Sequence, residues 1–237
     1  MVSRESVRLG GLAGVGVAVF ILPFAASDTI IGGLFAPEVL RGASGEAWLA
    51  RIDAHPWMAR IAIALPIVGF ALMPVVGVTL FRLVAERHWG ATLAIAGHLI
   101  GAPLAVSAFV SATSLVWSAV PGGLVHSTPS IAVATAELHR FMLVNFAVGP
   151  FFIIVIGNTC MSIAAWRAEV LPRWLCTWGM INGAIMALGI GAVSWPALEP
   201  GQIGGPLTML WFMTTGIVLL KSVASVNQGA SAAPSPR

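Results

Sequence analysis

Five histidines, nine carboxylates and two cysteines are the side chains in this 237-residue chain best suited to moving a proton, holding a metal or attacking a substrate. One set, Asp28, Asp53, His55, His126, Glu137, His139 and Arg140, falls at the ends of apolar runs. Within AELHRF, Glu137 and Arg140 are three residues apart and can pair on a helix, whereas Glu137 and His139, two apart, diverge. Thr128 can cap that helix with Pro129 at its first position, which carries Glu137 and His139 over the mouth of a bundle. A carboxylic acid in low dielectric can keep its proton. Glu137, Asp28 and His139 are therefore the candidate acid–base residues, suited to an isomerisation of the terpene-cyclase kind. Zinc or copper would use the same residue types. No HExxH or comparable spacing occurs, and no metal site is expected.

A second set lies inside apolar runs, where polar groups are expensive. Asn158 is nine residues from Arg167, Asn182 nine from Arg173, and His98 ten or eleven from His88 and Arg87. At ~1.5 Å per helical residue, all three lie ~13–16 Å deep. Thr214 and Thr215, counted back from Lys221, come within two turns of that layer. Four helices can thus share one polar layer, either as interhelical hydrogen bonds worth ~0.6 kcal/mol per pair or as a proton-handling or ligand-orienting site around His98. Haem needs two axial ligands at one depth, and His98 and His139 do not share one. Cys160 and Cys176 lack CxxC or CxxCH spacing and read as packing residues. No cofactor is expected.

Nine tryptophans accompany no tyrosine. Trp57, Trp89, Trp166, Trp174, Trp178 and Trp195 stand near the ends of apolar runs, where indole anchors at a membrane interface. Trp117 and Trp211 do not. With Phe109, Phe146, Phe151 and Phe152 they form, on this reading, an aromatic chamber in the outer half, fit for an apolar ligand or, beside an acid, for a carbocation. The candidate binding residues are Trp117, Trp211, Phe146, His98, Asn158 and Asn182. Phosphate loops, a Ser-His-Asp order and a basic-aromatic nucleic-acid face are missing from the sequence, so no nucleic-acid partner is expected.

The elements that must position these residues follow from composition. Apolar residues make up 58% of the chain and charged residues only 9%, against ~25% charged in a soluble domain. An ordinary soluble globule is excluded. Apolar runs at Leu9 to Ser27, Trp57 to Leu83, Trp89 to Val120, Phe141 to Trp166, Trp174 to Trp195 and Leu207 to Leu220 each suit a membrane span. The first run ends in FAAS like a signal peptide, but its length and the apolarity resuming at Ile30 read as a retained span. With the N-terminus inside, eight of the twelve Lys and Arg residues fall on the cytoplasmic side, so both termini are predicted cytoplasmic. Between spans one and two, Ser44 can cap a short helix carrying Trp48, Leu49 and Ile52 on one face, an interfacial helix on the outer leaflet ended by His55-Pro56. Residues 1–221 are read as one all-α domain of six transmembrane helices, and 222–237 as a disordered cytoplasmic tail.

The segment LPRWLCTWGMINGAIMALG at residues 171–189, with HPWMARIAIALPIVGFALMPV from His55, resembles a group of six-span bacterial membrane proteins known only as a domain of unknown function. The resemblance implies the six-span architecture and a multi-pass place in the bacterial cytoplasmic membrane. It supplies no activity. Small residues at four-residue spacing, Gly10/Gly14/Ala18, Gly97/Gly101 and Gly179/Gly183/Ala187, mark helix contacts. The leading functional reading is binding or processing of a lipid or isoprenoid within the bundle. Others are an accessory subunit packed on a larger membrane partner or a second copy of itself, the acid–base enzyme above, and a proton-coupled transporter around His98, which lacks a buried carboxylate in that layer.

Overall fold

The computed structural model describes residues 2–30, 45–84, 89–118, 148–191 and 203–231, with isolated positions at 130, 133–134, 136–137, 195 and 197–198. Seven helical segments cover them: α1 (Arg4–Ile30), α2 (Gly45–Ala54), α3 (Pro56–Val84), α4 (Gly90–Ser118), α5 (Val148–Arg167), α6 (Arg173–Gly191) and α7 (Gly204–Ser231). All but α2 are long and apolar enough to cross a membrane, and helices suit that setting because they satisfy their own backbone groups. Pro23, Pro66, Pro74 and Pro103 sit inside these helices, a placement that neighbouring helices make tolerable in a membrane bundle.

Each spanning helix packs on its neighbour in sequence, and α7 closes the ring by packing along α1. The core runs down the middle through Val17, Ile63, Met73, Phe109, Ile153, Trp211 and Phe212. Leu9, Val19, Leu99, Ile181 and Leu188 point outward and are more than half exposed or close to it. That is the reverse of a soluble protein, and it fits a surface solvated by lipid tails.

The short helix α2 begins directly after Ser44 and stops at His55-Pro56, where the expected helix does. Its Ile52 is wholly buried and its Leu49 packs on the core, so at least this face lies on protein. Helix α7 passes Lys221 and continues to Ser231, ten residues into the segment read as a tail. No proline interrupts SVASVNQGAS, and a helix already anchored by packing propagates readily.

Between α5 and α6 the chain turns on Glu169, which has φ 55°. Val170 N–H reaches back to the Ala165 carbonyl at 3.1 Å and Glu169 N–H to Trp166 at 3.2 Å, the left-handed closure that satisfies a helix's last carbonyls.

Candidate functional site

Helix α5 departs from α geometry over Phe151–Asn158, which form a π-helix. Such widened turns occur mostly as short insertions, frequently at functional sites. Here the wide backbone lies directly against two glycines of α4. A Cβ on Gly97 would stand 2.5 Å from the Phe152 carbonyl oxygen, and one on Gly101 2.6 Å from that of Gly149. The Gly97/Gly101 spacing read from the sequence therefore serves the seam between α4 and the π segment.

One consequence is the seating of His98. A Cβ on Gly157 would fall 2.7 Å from its Nδ1, and a Cβ on Gly77 of α3 2.9 Å from its Cγ. The Phe212 ring meets the imidazole edge-on at 6.2 Å. Nδ1 lies 2.9 Å from the Ala94 carbonyl oxygen and Nε2 3.0 Å from Asn158 Oδ1. Both residues are buried, so the shared depth counted along the sequence becomes a direct contact.

Asn182 shares that depth but not that contact. Gly183 abuts the Thr159 side chain, next to Asn158, yet the Asn182 amide turns to the start of α7. With its nitrogen donating to the Gly204 carbonyl at 3.1 Å, its oxygen accepts from the Thr208 N–H at 3.2 Å and from the Thr208 hydroxyl. It ties α6 to α7. Thr214 donates to the carbonyl of Leu210 at 2.7 Å within its own helix.

Trp211 is also separated from its expected company. Its indole N–H donates to the Leu175 carbonyl at 3.0 Å, near the Arg173 end of α6. Trp117 lies in the last turn of α4, at the opposite end of the bundle, because Gly97 faces Gly157 while Gly101 faces Gly149. The aromatic group in that opposite half is Phe24, Phe70 and Phe109: Phe109 stacks on Phe70 at 5.9 Å and meets Phe24 edge-on at 5.7 Å.

Beside these rings is a cavity of about 110 Å³, partly open, between α1, α3, α5, α6 and α7. Ile21, Phe24, Phe70, Ile154, Met186 and Met209 carry its wall, and its lining among the described residues is apolar. A dry apolar cavity of roughly 150 Å³ takes up benzene, so this one suits a single isoprene-sized group or the last methylenes of a chain. Sequence reasoning missed this cavity and the π-helix. Five helices build the cavity wall, and no local pattern encodes it.

Among the acid–base candidates, Asp28 belongs to the last turn of α1 and its side chain is outside the description. Glu137 is half-buried and partnered. His139 and Phe146 lie outside the described residues. Among the described residues no three His, Cys, Asp or Glu side chains gather as a metal site, and Cys160 and Cys176 are free thiols.

Six apolar spans and a buried polar layer define a polytopic α-helical membrane protein. Its family is the one described as Domain of unknown function (DUF4386): the family profile matches residues 10–224, and the chain belongs to it. That agrees with the resemblance carried by residues 171–189 and takes in every span but for the start of α1 and the last residues of α7. No curated protein and no solved structure matches the chain.

Proposed function

We propose that this protein binds the apolar end of a lipid or isoprenoid inside the membrane. The observation that carries the reading is the all-apolar cavity beside Phe24, Phe70 and Phe109. Burying a methylene there contributes about 0.8 kcal/mol relative to water but far less relative to lipid, so shape against the rings, more than burial, would select the occupant. In this reading the termini face the cytoplasm of a bacterial inner membrane, and α2 lies at the outer leaflet beside the start of α3. Asp28, three residues beyond the cavity-lining Ala25 on α1, stands with Glu137 and His139 as the polar rim for the ligand's other end. Trp117 and Phe146 are, in this reading, further aromatic contacts for the ligand. Trp211, His98, Asn158 and Asn182 do not line the cavity.

Gly205 provides the test. It lines the cavity, and a Cβ added there meets nothing within 4 Å, so Gly205→Leu adds bulk at the cavity with no clash at its Cβ. Native mass spectrometry of the protein extracted from its own membrane is expected to find a stoichiometric apolar molecule. Its occupancy should fall at least ten-fold in Gly205→Leu. Full occupancy in that variant, or wild-type protein carrying a second protein and no small molecule, would overturn the binding reading, the latter in favour of an accessory subunit.

A further inference from the structure

As placed, both ring nitrogens of His98 face carbonyl oxygens, Ala94 O at 2.9 Å and Asn158 Oδ1 at 3.0 Å. A backbone carbonyl only accepts, so Nδ1 carries a proton. A neutral ring then presents a bare Nε2, which requires a donor, and the Asn158 amide supplies one by turning its Nδ2 inward. A ring protonated at both nitrogens requires two acceptors, and it has them with Oδ1 turned inward. Rotation of one side-chain amide therefore matches both protonation states. In each state one end of that amide is left over, and with Oδ1 inward the buried Nδ2 has no partner.

Two further polar atoms are buried without partners, Ser162 Oγ and Thr215 Oγ1. Ser162 lies one turn beyond Asn158 toward Arg167, and Thr215 lies three residues beyond Phe212 toward Lys221. A buried polar atom left dry costs about 1–3 kcal/mol, and internal water is the usual remedy. Toward the opposite end the buried polar pair is Asn182 and Thr208, whose hydrogen bonds are made with each other and with Gly204. The buried hydroxyls of α5 and α7 left without partners thus lie on the Arg167 and Lys221 side of the imidazole. Among the described residues the groups seen against the ring are Gly77 from α3, Gly157 and Asn158 from α5, and Phe212 from α7, none of them titratable.

We propose that His98 is a proton-binding site at mid-membrane depth, filled from the Arg167 and Lys221 end through water held by Ser162 and Thr215, with the Asn158 amide turning over as the proton binds. A proton arriving from the aqueous phase at that end adds to the Nε2 lone pair, and it leaves by the same path. The hydroxyls of Ser162 and Thr215 can each donate or accept, so the water chain tolerates either amide orientation. This inference stands apart from ligand binding in the apolar cavity.

The test is 15N NMR of histidine- and asparagine-labelled full-length protein in lipid nanodiscs between pH 4.5 and 9.5. The His98 ring is assigned by its disappearance in His98→Gln or, where that variant does not accumulate, by its through-space contact with Phe212. Free imidazole in the same buffer provides the reference. The His98 ring is expected to pass from the Nδ1–H neutral form to the doubly protonated form within this range. The Asn158 side-chain amide should shift with the same midpoint, a response that a merely structural histidine would not produce. Ser162→Ala combined with Thr215→Val should slow exchange of the ring N–H with water at least ten-fold. A ring that keeps one protonation state while free imidazole titrates overturns the site, an amide that does not follow overturns the coupled rotation, and unchanged exchange in the double variant overturns the path.

Discussion

His98 on α4 and Asn158 on α5, sixty residues apart in the chain, meet through Nε2 and Oδ1 at 3.0 Å in the interior of a six-helix ring. The contact joins two helices whose seam is otherwise built from glycines. A double-mutant cycle with His98→Gln and Asn158→Leu is expected to show coupling of about 0.6–1.7 kcal/mol in reversible unfolding, the range for hydrogen-bonded pairs in membrane bundles. Additive losses would mean that the two side chains do not interact.

The slot around His98 leaves no room for a methyl group. Gly157→Ala places a Cβ 2.7 Å from the ring and Gly77→Ala 2.9 Å from it. Each is expected to destabilise the bundle by about 1–3 kcal/mol, as overpacked cores do. Gly205→Ala, which meets nothing within 4 Å, serves as the neutral comparison. Equal thermal stability of all three variants would contradict the described packing.

Trp211 offers a separate check on how α6 and α7 are joined. Trp211→Phe removes the donor to the Leu175 carbonyl while keeping an aromatic ring, and should lower stability by about 0.5–1.5 kcal/mol. The missing fluorescence should be that of a tryptophan shielded from aqueous quenchers, since this indole is 1% exposed. A readily quenched component disappearing instead would place the side chain elsewhere.

Glu169 takes a left-handed backbone at φ 55°, a conformation that costs a non-glycine residue roughly 1–2 kcal/mol. Its ion pair with Arg173, at 3.8 Å between exposed side chains, offsets little of that. Glu169→Gly is therefore expected to raise the unfolding midpoint, by about 0.5–1 kcal/mol after the extra unfolded-state entropy of glycine is subtracted. A lowered midpoint would show that the ion pair outweighs the strain.

Much of this architecture was legible in the residues themselves. Uninterrupted apolar runs of this length announce spans because a helix satisfies its own backbone groups in hydrocarbon, and His55-Pro56 marks the break between α2 and α3. Counting rise per residue from the flanking charges put Asn158 and His98 at one level, and the two are in contact. The same arithmetic said nothing of the direction of Asn182, whose amide serves α7. Trp211 was misjudged for the same reason, being drawn toward the aromatic half when its indole bonds at the Arg173 end.

Length and hydropathy alone determined the number of membrane-length apolar helices. Helix rotation was decided only by the tertiary structure. Lipid is as apolar as leucine, so a spanning helix carries no polar face to declare which side points inward. In this chain rotation is set by close backbone approach, Gly97 against Phe152 and Gly157, Gly14 against the Phe212 carbonyl. That approach places the imidazole of His98 beside a single rotatable amide and leaves the apolar cavity open among five helices.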